Sequence, residues 1–392
     1  MLDIWPAFPI VVTDEEYSMS GVDNIIAALE QRDRVCRIRL ADIPCWKMDM
    51  FVPAMLGPFP ALEGIVLCTE ESGMVVPDSF LGGSAPQLQW LTFHSIPFPA
   101  LPTLLSSTRN LVQLELSGIP RSGYIPPDVI VTCLSAMPGL SLLRFQFDSP
   151  QSFPNGQSRC HPPLARSTLP ALRELIFEGI NEYFEDLVSR IDTPVIRKLE
   201  IVFFHRHFYE FSQLSRFINR VEVFKSPTHA KIRLYHFEAE VSAGLGTGTD
   251  EPARLLLGIS CGEQHLRLRY LVQVCSSSLL PFSNVGSLAI SSVDQLQHPQ
   301  WGPTAEDFLW LDLLHSFSAV KVLDIDKNSL TPVAYTLEEV VEERTAEIFP
   351  AIRDLSIGGH LPSGPVLRAI EEFATARGLF TRFDHPNRWV AA

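Results

Sequence analysis

One short phrase, an apolar residue followed by two of any kind, an apolar one, any one, and an apolar one, returns along this chain. It occurs at Val35-Ile38-Leu40, Leu62-Ile65-Leu67, Leu88-Leu91-Phe93, Leu111-Leu114-Leu116 and Leu140-Leu143-Phe145. It continues at Leu172-Leu175-Phe177, Ile196-Leu199-Ile201, Val285-Leu288-Ile290, Val320-Leu323-Ile325 and Ile352-Leu355-Ile357. Two copies, "LPALRELIFEGI" at 169–180 and "FPAIRDLSIGGH" at 349–360, share five of twelve residues although 180 positions apart. Residues four and six of the phrase share one face of an extended strand, and residue one closes the turn before it. A single copy cannot bury three such side chains alone, so copies must stack on their neighbours.

The phrase is the strand half of a leucine-rich repeat, in which a short strand alternates with a helical or irregular return. Successive first anchors are 27, 26, 23, 29, 32, 24, 89, 35 and 32 residues apart. These intervals are long and uneven for a regular repeat, and the asparagine-ladder position is missing. The expected fold class is therefore α/β: an irregular leucine-rich-repeat-like solenoid over residues 23–392, with a parallel concave sheet and outer helices. Residues 1–22 read as a connector. The phrase fades over 203–284, where the gap of 89 leaves room for three units; Lys231–Phe237 and Leu255–Ser260 are the candidate strands.

The segments between phrases fit return helices. Residues 126–139 open with Pro and Asp and carry Ile130, Leu134 and Met137 on one face. Residues 181–192 start at an Asn181 cap, with Phe184, Leu187, Val188 and Ile191 in helical register. Residues 304–317 carry Phe308, Leu311 and Leu314, and 363–378 carry Val366, Ile370 and Phe373 before Gly378. Two stretches rich in Pro, Ser and Gly, 149–167 and 242–253, read as exposed, mobile loops.

Of the residues, 46% are hydrophobic and 19% charged, a globular balance. The net charge of −14 gives non-specific nucleic-acid binding no driving force and favours a basic or neutral partner. Seven scattered cysteines without a C-x-x-C pair, and no N-x-[ST] acceptor, suggest a reducing intracellular compartment, cytoplasmic or nuclear. Asp3, Pro6 and Pro9 do not suit a signal peptide, and the long uncharged stretches are broken by prolines and polar residues, so no membrane partner is expected.

Chemistry-bearing clusters are few. His205 and His207 form an "HRH" triplet, but no further ligand follows at zinc-like spacing. "GLGTG" at 244–248 is followed by Thr, Asp, Glu and Pro rather than by a helix, which suits a loop better than a phosphate turn. Cys261 and His265 lack a strained turn or an oxyanion motif between them. The acidic run 336–347, with Leu337, Val340 and Val341 at helical spacing, reads as a solvated helix face or a dock for a basic partner. No catalytic residue, metal site or cofactor is expected, and an enzyme would require His205, His207 and Cys261 to converge through the fold.

What remains is a surface. Positions three, five and seven of each phrase point to the wet face of the sheet. They give Trp90, His94, Glu115, Arg144, Glu174, Glu178, Lys198, Glu200, Asp324, Asp326 and Asp354, with Arg37 and Arg39 near the N-terminal end. The middle and late strands read as acidic and the first as basic, so a groove for a basic or amphipathic segment of another protein is the functional expectation. A one-residue slip of register would reverse the assignment.

Several stretches also resemble a known family. "NIIAALEQRDRVCRIRL", "VVPDSFLGGSAPQLQWLTFHSIPFPALPTLL", "GYIPPDVIVTCLSAMPGL", "EYFEDLVSRIDTPVIRKLEI", "WLDLLHSFSAVKVLDI" and "IEEFATARGL" are similar to the leucine-rich-repeat portion of the F-box proteins of mushroom-forming fungi. The resemblance runs over nearly the whole chain. It implies a substrate-receptor-like, non-catalytic part of the ubiquitin-ligase pathway, with the repeats holding a protein partner. The L-P-x-E phrase that opens an F-box is missing, and "LDIWPAFPI" looks like the connector after one. Binding of the ligase adaptor is thus expected only if an F-box lies upstream. A hydrolase or metal-dependent enzyme on a repeat scaffold, or a fragment without independent function, are the alternatives.

Overall fold

The structure, a computed structural model, describes residues 8–15, 21–69, 75–154, 165–204, 211–244, 254–261, 266–276, 282–293, 307–342, 348–359, 362 and 364–384. Among these the chain is a mixed α/β fold with 10 helices and a large, mostly parallel sheet of 15 strands. Two compact units divide it, Met1–Lys198 and Leu199–Ala392.

In the first unit the strands are β1 (Ile10–Asp14), β2 (Val35–Leu40), β3 (Gly64–Cys68), β4 (Trp90–His94), β5 (Gln113–Ile119), β6 (Leu142–Phe147), β7 (Ser167–Thr168), β8 (Glu174–Gly179) and β9 (Ile191–Asp192). Strands β1 to β6 and then β8 lie side by side in chain order, every pair parallel. A separate parallel pair, β7 with β9, sits apart from this sheet. The helices are α1 (Val22–Leu29), α2 (Cys45–Phe51), α3 (Leu101–Ser107), α4 (Pro127–Ser135) and α5 (Asn181–Arg190), with α3 packed on α4 and α4 on α5.

The repeated phrase is written in backbone hydrogen bonds. The N–H of the first residue closes a turn onto the carbonyl three residues back in Leu62, Leu88, Leu111, Leu140, Leu172 and Ile196. The N–H of the second residue then reaches the second residue of the preceding phrase: Glu63 to Cys36, Gln89 to Glu63, Val112 to Gln89, Ser141 to Val112, Arg173 to Ser141 and Arg197 to Arg173. Each strand therefore begins level with its neighbour, and the apolar sets coincide face to face. All first, fourth and sixth positions of these phrases are buried, from Val35 to Ile201. At about 1.5–3 kcal/mol for each large side chain taken out of water, these triads dominate the core.

The second unit holds β10 (Lys198–Phe204, which opens at the boundary), α6 (Ser212–Arg220), β11 (His229–Leu234), β12 (Glu238–Gly244), β13 (Arg254–Ser260), α7 (Arg267–Ser276) and β14 (Ser287–Ser292). It continues with α8 (Asp307–His315), β15 (Val322–Ile325), α9 (Leu330–Glu342), β16 (Asp354–Gly358), α10 (Pro365–Arg377) and β17 (Phe380–Asp384). From β14 to β17 the parallel ladder and the turn rule recur: Val285, Val320 and Ile352 close their turns, and Lys321 and Arg353 bond back to Gly286 and Lys321. Helices α7 to α10 pack in succession.

The middle differs from the expectation of three equivalent units. The strand order is β10-β13-β12-β11-β14, with β12 antiparallel to both β11 and β13. Strand β11 pairs in parallel with β14, and Gly286 bonds back to Thr228 as a second-position residue would. The phrase is thus present at Pro227-Ala230-Ile232, all buried, with Pro and Ala in place of large apolar residues. Ser242–Gly244, read from composition as part of a loop, belongs to β12; residues 245–253 lie outside the described residues.

Smaller differences have simple causes. The connector at 1–22 contains an edge strand, since Val12 is buried while Val11 is 59% exposed. Helix α4 stops at Ser135, with Met137 still buried, and α5 ends at Arg190 because Ile191 enters β9. In α8, an almost wholly apolar run left the inward face ambiguous: Trp310, Leu313 and Leu314 are buried and Phe308 is 67% exposed. Residues 155–164 of the loop expected at 149–167 fall outside the described residues.

Candidate functional site

The wet face of the first unit is assembled from strands 23–32 residues apart in sequence, each contributing the odd positions of its phrase. Arg37, Gly64, Trp90 and Gln113 are register partners along one row; Thr92, Glu115 and Arg144 share the next, and His94 and Ser117 the one beyond. The predicted register is the one observed: Trp90, His94, Glu115, Arg144, Glu174, Glu178, Lys198, Glu200, Asp324 and Asp354 are all part-exposed or exposed on their strands.

Arg37, Gly64 and Trp90 form the most distinctive feature. The Arg37 guanidinium carbon lies 5.2 Å from the centroid of the Trp90 ring, two strands away. Gly64 on the strand between them makes this possible, because a Cβ there would stand 3.0 Å from Trp90 Cε3. Glu63 steadies the guanidinium from 3.6 Å. The result is an exposed cation stacked on a half-buried indole over a glycine floor, a pair worth about 0.5–1 kcal/mol at an exposed site. His94 shares a hydrogen bond of 2.9 Å with the Ser117 hydroxyl near by in the ladder.

The acidic residues stand in pairs rather than as a field. Glu115 meets Arg144 Nε at 2.8 Å; Arg144 donates to Gln146 Oε1 at 3.4 Å, and Gln146 Nε2 donates to Glu178 at 3.1 Å. Burial pushes the Glu178 carboxyl above its ordinary range, while the Gln146 hydrogen bond pulls it partly back. Glu174 pairs with Lys198 at 3.4 Å, Arg39 with Glu15 at 2.7 Å, and, in the second unit, Glu200 with Arg254 at 3.7 Å. Reading strand positions one at a time found the acids and missed Gln146 and Arg254, because counter-charges on neighbouring strands carry no local signal. An acidic residue followed about one repeat later by a basic one at the same phrase position does mark the Glu115–Arg144 and Glu174–Lys198 pairs, but not Gln146 or Arg254, which lies 54 residues after Glu200.

Asp326 is engaged by the backbone on both oxygens. Its Oδ2 accepts from the Ser292 N–H at 3.0 Å and its Oδ1 from the Ser329 N–H at 2.8 Å. It thereby joins the end of β14 to the residue just before α9.

His205, His207 and His265 lie outside the described residues, as does GLGTG beyond Gly244. Cys261 is buried, and burial pushes its thiol up to about 11, so it stays protonated at neutral pH. Among the described residues no group of three or more His, Cys, Asp and Glu could hold a metal ion, and no helix is long and apolar enough to cross a membrane. Of the acidic run at 336–347, residues up to Glu342 lie in α9, with Leu337 buried. No protein-family model matches the chain, and no curated protein matches it.

Proposed function

We propose that this chain is a non-catalytic protein-recognition scaffold, an irregular leucine-rich-repeat-like solenoid that binds another protein on the polar face of its sheet. The observation that carries the reading is the Arg37–Gly64–Trp90 arrangement. Aromatic and arginine side chains together on an exposed face are what interface anchors are made of. The surrounding polar residues, His94, Glu115, Arg144, Glu174 and Glu178, would form the rim, and Glu200 and Asp324 are their counterparts in the second unit. The similarity to the repeat portion of fungal F-box proteins supports a substrate-receptor role in the ubiquitin-ligase pathway, inside the cell. Capture of the ligase adaptor would require an F-box, whose opening phrase these 392 residues do not carry.

The internal charge pairing refines the partner. With Glu115, Glu174 and Glu200 already neutralised by Arg144, Lys198 and Arg254, a basic segment has less to gain here than the sequence suggests, and an extended segment with an apolar or aromatic anchor fits the first unit best. The test is affinity capture with the wild type and with Trp90→Ala, run in parallel with a version bearing an upstream F-box. Recovery of one partner by both wild-type baits, its loss with Trp90→Ala, and recovery of ligase subunits by the longer bait alone would support the reading. Partner recovery unchanged by Trp90→Ala, or none at all from either bait, would sink it.

A further inference from the structure

We propose that Lys231, flanked by Arg233, is a carboxylate-binding spot on the sheet face of the second unit, and that it seats one acidic side chain of an extended protein segment. This rests on the recognition reading above and adds to it a charge that the partner must carry.

Three observations converge. Lys231 and Arg233 are alternate residues of β11 and share the wet face, since Ala230, Ile232 and Leu234 between and around them are buried. Arg233 is engaged by Glu240 of β12 at 3.3 Å, whereas Lys231 is in no ion pair among the described residues. Among the other lysines, Lys47 has Asp14, Lys198 has Glu174 and Lys225 has Glu222, while Lys321 and Lys327, also without an ion pair among the described residues, are exposed rather than half-buried. Finally, the floor around Lys231 is low. Its register partners are Ser242 and Ala289, and Arg233 faces Ser291. The Ser242 and Ser291 hydroxyls donate to the backbone carbonyls of Lys231 and Ile232, at 3.4 and 3.3 Å, so they turn down into the sheet. Lys231 thus stands between small register partners, with Arg233, Glu240 and His229 as the charged or titratable neighbours on β11 and β12.

The electrostatics agree with an uncompensated charge. Half-burial and the neighbouring Arg233 both lower the Lys231 pKa, and only Asp326 opposes them. Both oxygens of Asp326 are already held by backbone N–H groups. A carboxylate arriving over Ala289 would restore the lost solvation and relieve the repulsion from Arg233. The other charges facing this patch limit what can land. Asp324 lies in the same row two strands away, about 10 Å by strand spacing. Glu240 flanks on β12, and exposed His229 precedes on β11. A run of acids would meet Asp324 and Glu240, and so would a dianion; a single carboxylate flanked by neutral residues would not.

The chain has only six lysines, so reductive methylation with labelled formaldehyde yields few Nε-methyl resonances, and Lys231→Arg assigns the one that matters. The intact protein is titrated with a blocked Gly-Glu-Gly amide, with Gly-Gln-Gly and Gly-Lys-Gly as controls, and with inorganic phosphate. The expected result is a saturable, salt-sensitive shift of the Lys231 resonance with Gly-Glu-Gly alone. Its half-saturating concentration should be about tenfold below that at exposed Lys321 and Lys327. A response no stronger than at those two lysines overturns the proposal. So does a stronger response to phosphate or Gly-Lys-Gly, or failure of Lys231 to be methylated. Because capture through Trp90 does not involve Lys231, the wider reading can stand or fall separately.

Discussion

At the scale of single residues, space and charge are both tightly assigned. Gly64→Ala puts a methyl group 3.0 Å from the Trp90 ring, so the indole must lift and the Arg37 stack must open. The expected cost is about 1–2 kcal/mol of stability, with a shift in tryptophan emission, read by urea denaturation followed by fluorescence. Gly118 is bound by two constraints, a φ of +59° and a Cβ site 2.6 Å from Ser95 Oγ. Gly118→Ala should therefore cost about 1–3 kcal/mol by the same measurement. Glu178 supplies a pH dependence. Its folded-state pKa is raised by burial, so the native state holds the proton more tightly than the unfolded chain does. That stabilisation is complete below the unfolded value of about 4.3 and is lost as pH rises through the folded value. Glu178→Gln keeps an acceptor for Gln146 and removes the titration. Its stability relative to wild type should be higher at pH 7 than at pH 4, and a difference independent of pH would refute the account.

At the scale of elements, the N-terminal edge strand β1 is held by more than its ladder. Lys47 of α2 reaches Asp14 at 2.6 Å, and both are buried. Removing one partner of such a pair strands a charge, so Lys47→Ala should cost about 3–5 kcal/mol, while Asp14→Leu with Lys47→Met should recover much of the loss. Thermal unfolding of the single and double variants decides it, and a double variant as unstable as the single would show that the pair contributes more than mutual neutralisation. The ten strands that carry the phrase were legible because large apolar residues mark both their turn and their inward face. Strand β11 was not fully legible: Pro227 and Ala230 occupy two of its three diagnostic positions, although the backbone bonds treat them as the phrase. Helix α8 misled for the opposite reason, being apolar nearly all round.

At the scale of the molecule, the chain divides into two compact units, and each is expected to lose structure at its own denaturant concentration. Cys133 is a buried thiol in the first unit, and Cys261 and Cys275 are buried in the second, all three held protonated by burial. In rising urea, mass-resolved labelling should give Cys133 one protection midpoint and Cys261 with Cys275 another. Coincident midpoints for all three would mean that the units open as one. Among the described residues every cysteine is a free thiol, so reductant should leave the melting temperature unchanged.

The candidate surface divides the same way. Which side chains face water followed from the phrase, and the structure keeps that register at nearly every position named. Which of them retain free charge did not follow, because Glu115 finds Arg144, and Glu174 finds Lys198, only across a ladder joining residues 24 to 29 apart. Period and composition act along the chain, so they are enough to specify a strand, its buried face and its turn. The reversed order β10-β13-β12-β11-β14, the surroundings of Lys231 and the commitment of Asp326 to two backbone N–H groups arise between distant segments. There the competing registers differ in pairing energy rather than in any local preference, and packing chooses among them.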